Sequence, residues 1–456
     1  MAKCFTIELS SALEYNRFSA EFFDPEYVFT PNEKYEWVPI GKVLNKCEYG
    51  LSLPMNLDNN GYPMVRMNEL EDGFVGVPLK CANMPKSLFT RYKLNLNDIL
   101  FNRTNSFEFV GRTGILKGEF DCTFASYLVR LIANTDIVSP EYLTIYLNSE
   151  FGVKQIKRRA MRSINQANVN AEELKKIMIP LISTEIQEEV TRLTNKSYEF
   201  RTHSLRQIQD ALEMINNELP DACLPLDHLP NPQIITSSNE IARHSRIDAE
   251  FYQTKYVSVT SAVKNYPHGY IRLTDCIDVL KPNFQASHND FNSYNYVALA
   301  DIDNDLGMIT SFNRIMGRKL PSRAKRITSS GDVLASSVVG SLDKTAIVLE
   351  RQNDFIASTG FFHFRPKSVT SEYLLTLLMA PFTKLLLTQQ ATGGILSAIP
   401  ENNLKKILIP DIPSDIQSRV TKLVKSAHSF KLDSIELLSK AINLVDKSIK
   451  EALHEN

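Results

Sequence analysis

No stretch of this sequence stays apolar for long. The most hydrophobic run, Tyr373 to Phe382, falls far short of the ~20 residues that a membrane helix needs, so no membrane partner is expected. Cysteine is sparse and unpatterned: Cys4, Cys47, Cys81, Cys122, Cys223 and Cys276 are scattered, with no Cys-x-x-Cys. That spacing argues against a disulfide framework or a zinc site and for reduced thiols in a cytoplasmic protein. The N-terminus shows no basic segment followed by an apolar one, so no signal peptide is expected. No Gly-x-x-x-x-Gly-Lys-Ser/Thr loop and no glycine-rich strand-to-helix turn occur, which argues against a P-loop and a dinucleotide or S-adenosylmethionine site. Gly393-Gly394 is a lone pair in a polar loop, and Asn231-Pro232-Gln233 is linker rather than an Asn-Pro-Pro-Tyr motif. Glu173-Leu-Lys175 has the form of a nuclease pair but no spaced acidic partner, and is read as solvated surface. The eight histidines are dispersed; His363, between two phenylalanines, reads as a strand residue rather than a base. An excess of charge is missing too: 51 Lys and Arg stand against 52 Asp and Glu, so nothing global advertises a polyanionic partner. No cofactor, no metal and no catalysis are expected of this chain.

What the sequence does have is a repeat. Arg17-Phe-Ser-Ala-Glu-Phe-Phe23 returns as Arg246-Ile-Asp-Ala-Glu-Phe-Tyr252, and Leu174-Lys-Lys-Ile-Met-Ile-Pro180 returns as Leu404-Lys-Lys-Ile-Leu-Ile-Pro410. A long fixed period means two units of one kind, and 456 residues exceed what one core usually fills. Within the first half, Asn59-Asn60-Gly61 and Asp72-Gly73 signal turns between strands. Asp98-Ile-Leu-Phe-Asn-Arg-Thr-Asn105 and Val110-Gly-Arg-Thr-Gly-Ile-Leu116 read as two strands around a polar loop, matched by Asp332–Ser337 and Asp343–Val348. Helices are expected to start at Ser139-Pro140 and at Ser371.

Long helices close each half. Thr184-Glu-Ile-Gln187 and Ser414-Asp-Ile-Gln417 fit a capping box. Apolar residues then follow in steps of four and three: Ile186, Val190, Leu193, Phe200, Leu205, Ile208, Leu212, Ile215 and Leu219. Adding 230 gives Ile416, Val420, Leu423, Phe430, Ile435, Leu438, Ile442, Val445 and Ile449, again all apolar. Such a seam predicts that the helices pair as a coiled coil; packing of each on its own half is the alternative. Four prolines between Leu219 and Pro232 predict a stiff connector. The expected fold is α+β: two similar α/β domains (1–182 and 237–412), each followed by a long helix (183–219 and 413–453), with a connector at 220–236. The helices are expected to form an antiparallel coiled coil with pseudo-two-fold symmetry.

Charge is segregated although its sum is near zero. Residues 310–330 carry Arg314, Arg318, Lys319, Arg323, Lys325 and Arg326 without an acid, and residues 151–171 carry Lys154, Lys157, Arg158, Arg159 and Arg162 without one. Such patches suit phosphates, although most basic runs are ordinary solvated surface. Loops beside them hold residues that read base edges, Arg for guanine and Asn or Gln for adenine. The candidates for DNA binding are Arg66, Arg103, Thr104, Asn105, Lys157, Arg158, Arg162, Asn165 and Gln166 in the first half. In the second they are Arg314, Arg318, Lys319, Arg323, Lys344, Thr392, Gly393, Gly394 and Ser397.

These motifs, in this order and given twice, resemble the DNA-specificity subunits of Type I restriction–modification systems. The carriers are the Arg-x-x-Ala-Glu-Phe-Phe/Tyr entry, Gly61-Tyr-Pro-Met-Val-Arg66, Asp98–Ser106 with Val110-Gly, Phe124–Arg130, and the Leu-Lys-Lys-Ile-x-Ile-Pro…Ile-Gln junction. The resemblance implies two target-recognition domains that read a split duplex site. It further implies helices that fix the gap and dock two modification (methyltransferase) subunits for adenine methylation, with separate restriction subunits. The second half departs at Ser336-Ser-Val-Val-Gly340, where the first has Arg103-Thr-Asn105, so contact residues do not transfer between halves. A Type IIB-like or related phage-defence specificity subunit, and a protein–protein scaffold, are the alternatives.

Overall fold

The computed structural model of the chain describes residues 4–15, 17–28, 30–222, 236–287, 289–393 and 397–454. Most of the proline-rich connector, and Gly394, lie outside them. The chain divides into two compact units, residues 1–200 with 432–456, and residues 201–431. The long helices run Thr184–Asn217 and Ser414–His454, so each unit takes one part of each.

The first unit is built on a six-stranded sheet in the order Leu44–Tyr49, Leu128–Ala133, Ile99–Asn102, Thr113–Ile115, Phe74–Val75 and Leu70–Glu71. Asp72 and Gly73, both at positive φ, make the two-residue hairpin turn between its last two strands, the conformation a tight hairpin demands. Ser139 caps the helix Pro140–Asn148 through Tyr142 N at 3.1 Å. Tyr142 and Tyr146 on that helix donate to the Pro180 and Met178 carbonyls at 2.7 and 2.6 Å, which seats it on the strand Met178–Pro180. The second unit repeats the sheet as Ile277–Val279, Phe361–Pro366, Val333–Ser336, Thr345–Ile347, Met308–Ile309 and Ile302–Asp303. Its register is the same: Ile99 pairs with Ile115 as Val333 pairs with Ile347. The units diverge where the first places the helix Lys86–Tyr92 and the second the strand Ala324–Ile327.

Each sheet encloses one buried acid–base contact at the same register. Arg130 lies opposite Leu100 and meets Asp98 at 3.2 Å; His363 lies opposite Leu334 and meets Asp332 at 2.7 Å. His363 is thus a paired strand residue. Burial works against ionisation of Asp332, but contacts to His363 and Arg365 outweigh it and hold the carboxyl below its ordinary range. At Asp98 burial dominates and raises it, despite the Asn95 backbone and Arg130.

The long helices differ from the expected seam in a telling way. Their buried positions are Val190, Leu193, Thr194, Ser197, Ser204, Ile208, Ala211 and Ile215 in the first helix, and Val420, Val424, Ala427, His428, Lys431, Ser434, Ala441, Val445, Ser448 and Ile449 in the second. Val190, Leu193, Ile208, Ile215, Val420, Val445 and Ile449 of the expected seam are therefore buried, and small or polar residues fill the rest. Phe200, Leu205 and Leu212 are half-buried flanks, and Ile435 is exposed. Small and hydroxyl side chains occupy the centre because the backbones come within hydrogen-bond reach. In the first unit Ser197 Oγ lies 2.8 Å from the Ser434 carbonyl, and Ser434 Oγ lies 2.8 Å from the Ser197 carbonyl. In the second unit Ser204 Oγ donates to the Ala427 carbonyl at 2.7 Å. With the 230-residue offset these are one joint made twice: Ser204 corresponds to Ser434, and Ala427 to Ser197. The helix starts also differ from expectation. Gln187 and Gln417 do not close capping boxes; their Nε2 atoms donate back to the Ile182 and Ile412 carbonyls at 3.2 and 2.8 Å.

Ser434→Leu should force the helices apart and cost about 1–3 kcal/mol, whereas Ser434→Ala should cost only about 1 kcal/mol for the missing hydrogen bonds. Urea midpoints of the two variants measure this; equal losses would mean that the close approach is not the constraint.

Candidate nucleic-acid interface

Two separate sequence candidates meet in the first unit. Thr104–Asn105, Ala167–Asn168 and Met161–Arg162 form a small three-stranded sheet. Asn105 pairs with Ala167, Arg162 pairs with Ala167 from the other side, and Asn168 Nδ2 donates to Thr104 Oγ1 at 2.6 Å. Ser163 N closes the hairpin onto the Gln166 carbonyl at 2.7 Å, which leaves Ile164 and Asn165 at its tip. Arg103, Thr104, Asn105, Arg162, Asn165 and Gln166 therefore gather on one platform. Arg103 is oriented by Nε–H donation to the Ser126 carbonyl at 2.9 Å and by the Tyr49 ring, 4.9 Å away. Arg162 is exposed and its guanidinium lies 3.5 Å from the Phe107 ring centroid.

The rest of the first basic run is otherwise engaged. Lys154 pairs with Glu150 at 2.6 Å. Lys157 reaches the carbonyls of Phe107, Glu108 and Val110 at 2.6–3.0 Å, which braces the loop beside the platform. Arg158 donates to the Phe22 carbonyl at 3.0 Å and lies over the Phe22 and Tyr15 rings at 4.2 and 4.9 Å. Arg159 contacts Glu173 at 3.2 Å. Glu173 is no solvated nuclease-like residue: Arg17 also pairs with it at 3.0 Å, and Lys176 at 2.9 Å. The repeated Arg-x-x-Ala-Glu-Phe motif is thus a clamp. Arg17 and Phe22 hold the end of the helix Glu150–Arg159, from which the hairpin springs. In the second unit Arg246 donates to the Ala391 carbonyl at 2.9 Å, and Gln389 donates to that of Phe251 at 3.1 Å. Arg66 stands apart, paired with the buried Glu69.

The second unit repeats the platform with different side chains. Ala398 bridges both Thr392 and Val338, and Val339 N donates to the Ser397 carbonyl at 3.0 Å. Thr392, Gly393 (at positive φ) and Ser397 therefore meet the divergent Ser336–Gly340 segment. Lys344 is turned to the Ile302 carbonyl at 3.0 Å. Arg314, Arg318, Lys319 and Arg323 are exposed, and among the described residues none of them makes an ion pair. Arg318 packs on the exposed Phe291 ring at 4.8 Å. Arg323 O accepts from Thr359 N at 2.8 Å, and Gly360 O accepts from Ser337 N at 2.9 Å, so Arg323 adjoins the platform. Arg314 instead stands on the strand Asn313–Met316, at the opposite edge of a four-stranded sheet from the strand Ala324–Ile327. Sequence reasoning missed Tyr49, Phe107 and Phe291, the rings that fix the arginines; nothing in their spacing marks them.

Arg158→Ala should destabilise the chain by about 1–2 kcal/mol by removing its ring stacking and its bond to the Phe22 carbonyl, whereas Arg162→Ala, which loses only an exposed contact with the Phe107 ring, should cost less than about 1 kcal/mol. Calorimetry distinguishes the two roles, and equal shifts would contradict the assignment. A second expectation concerns Lys157. Burial lowers its ammonium from 10.5 to about 8, Glu108 opposing and Arg112 and Arg162 assisting. Between those values the unfolded chain holds a proton that the folded chain has released, so this group adds stability as pH rises through that window. The stability advantage of the native chain over Lys157→Met should therefore widen from pH about 8 to about 10. Denaturation at both pH values checks it; a constant difference would refute the shift.

Comparison with known proteins gives the chain a family resemblance. Residues 32–214 match the family described as the Type I restriction modification DNA specificity domain. A protein of Methanocaldococcus jannaschii named as the type I restriction enzyme MjaX specificity subunit is 29% identical over 165 residues, 35% of this chain and 39% of that protein. The type I restriction enzyme EcoBI specificity subunit of Escherichia coli is 25% identical over 171 residues, 37% of this chain and 35% of its own length. The alignments thus span well under half of either relative. Among solved structures, the HsdS subunit from Thermoanaerobacter tengcongensis shares 16% identity over 92% of this chain and 98% of its own, at a TM-score of 0.30. The S subunit of a Type-I restriction-modification system from M. genitalium shares 12% over 93% and 99%, at 0.40; such scores decide no arrangement. The matched domain and both curated relatives bear out the resemblance that the motifs carry: residues 32–214 match that specificity domain, and the chain is similar to the specificity subunits of Type I restriction–modification systems.

Proposed function

We propose that the chain is a non-catalytic, cytoplasmic subunit that reads a two-part duplex DNA site, one part with each unit, and docks modification (methyltransferase) and restriction subunits that carry the chemistry. The observation that carries this reading is the repeated platform. In both units a short ribbon is braced from beneath by a clamp and presents polar side chains outward. Arg103, Asn105, Arg162, Asn165 and Gln166 are the base readers of the first unit, since planar amides and guanidinium groups make paired bonds to base edges in the major groove. In the second, Arg314, Arg318, Lys319 and Arg323 supply phosphate contacts that set position without carrying sequence. Lys157, Arg158 and Lys344 hold the scaffold rather than the DNA. The platforms differ in side chains while sharing their backbone plan, which suits a reader of two unlike half-sites. The long helices shared by both units would fix the gap between half-sites.

Equilibrium binding to duplex DNA across a salt series tests the reading. Log affinity should fall linearly with log salt, and replacing Arg314, Arg318, Lys319 and Arg323 together with Ala should reduce the slope by about one for each phosphate left without its cation. A protein–protein scaffold would show no such dependence, and its absence would overturn the proposal.

A further inference from the structure

The hairpin of the first unit ends in a residue from which the fold gains nothing. Ile164 is 99% exposed, and its neighbour Met161 is 45% exposed. Tight turns favour Gly, Asn, Asp, Ser or Pro, each for a backbone reason. Ile164 meets none of them: it makes no left-handed bend, since neither it nor Asn165 is at positive φ. The turn beneath is nonetheless well fixed. Ser163 N and Oγ both reach the Gln166 carbonyl, at 2.7 and 3.1 Å, and the ribbon is pinned through Ala167 to Asn105. A β-branched side chain is itself stiff. The result is a rigid apolar point between a guanidinium (Arg162) and two amides (Asn165 and Gln166), on a stretch with no acid from residue 151 to 171.

Among base edges, the apolar feature in the major groove is the thymine C5-methyl, and that groove admits a two-stranded ribbon. We infer that Ile164 reads the C5-methyl of a thymine in the half-site of the first unit, as the apolar counterpart of the polar readers on either side. This rests on the DNA-reading function proposed above and deepens it: polar groups alone would accept deoxyuridine in place of thymine, and Ile164 would not.

The test is a two-by-two comparison with the full chain and its selected duplex target. Each thymine of the half-site is replaced in turn by deoxyuridine, which keeps every hydrogen-bonding group and removes only the methyl. The native chain should lose about fivefold to tenfold in affinity at one position, in the lower range of a mismatch. Ile164→Ala should lose as much on the thymine duplex and be indifferent to deoxyuridine at that position. Being fully exposed, the substitution should leave the thermal midpoint in place. Independent, additive losses, or no loss with Ile164→Ala while DNA is still bound, would overturn the inference and leave the wider reading standing. Absence of any selected duplex target would instead overturn the wider reading.

Discussion

Carbonyl-distance contact between the two long helices is the constraint on which the rest depends. A serine hydroxyl donating into a neighbouring helix's backbone tolerates no larger side chain between them, so the seam must be Ser, Ala and Thr where the chains are nearest. Close packing of this kind fixes register more sharply than a row of leucines, because a slip by one residue would place a bulky flank such as Leu205 or Leu212 where Ser204 or Ala211 meets a backbone. Val190 and Leu193 then join Ala441, Val445 and Ile449 in one core with the sheet-covering helix Pro140–Asn148. The clamp at Arg17 and Glu173 and the ribbon it supports are built outward from that core.

Formal charge and available charge are different quantities. The run from Lys154 to Arg162 and the run from Arg314 to Arg326 look alike as strings. In the first, carbonyl oxygens, rings and Glu173 take up the cations, and only Arg162 faces outward without an ion pair among the described residues. In the second, Arg326 is buried, with Nη1 donating to the Leu280 carbonyl at 2.7 Å, yet four others stay exposed. A cation next to a cluster of free carbonyls at a helix end or loop has a better partner than water. That competition is decided by folding, not by composition.

Much of the architecture was legible because it is written twice. Turn residues at Asp72-Gly73, the Ser139 cap and the strands ending at Pro180 and Pro410 are local signals, and local signals survive into the structure. The helix pairing was legible in kind but not in detail. Reading apolar periodicity selected Phe200, Leu205 and Ile435 and passed over Ser197 and Ser204, since a serine's place in a core depends on how near the opposing backbone comes. Gln187 and Gln417 were recognised as significant yet assigned to the wrong partner, because one spacing serves both a cap and a tether. Of the DNA-binding candidates, Arg103, Asn105, Arg162, Asn165 and Gln166 converge across sixty residues of chain. Arg66 and Lys157 proved to be internal braces, which only the positions of Glu69 and the Phe107–Val110 carbonyls reveal.

The composition of the first unit has a consequence for how the protein is made. Its core contains Ala441, Val445 and Ile449, and Glu150, at the start of a clamped helix, donates its backbone N–H to the Asp446 carboxylate and accepts from Lys450 through its own. A ribosome delivers residues 1–200 long before it delivers these. Domains generally complete in order of synthesis, but this one must wait, with the Val190–Leu193 face uncovered, until the second long helix has been translated. The order of closure inverts the order of birth: residues 201–431 are all in hand by then, and the earlier-made unit is sealed after them.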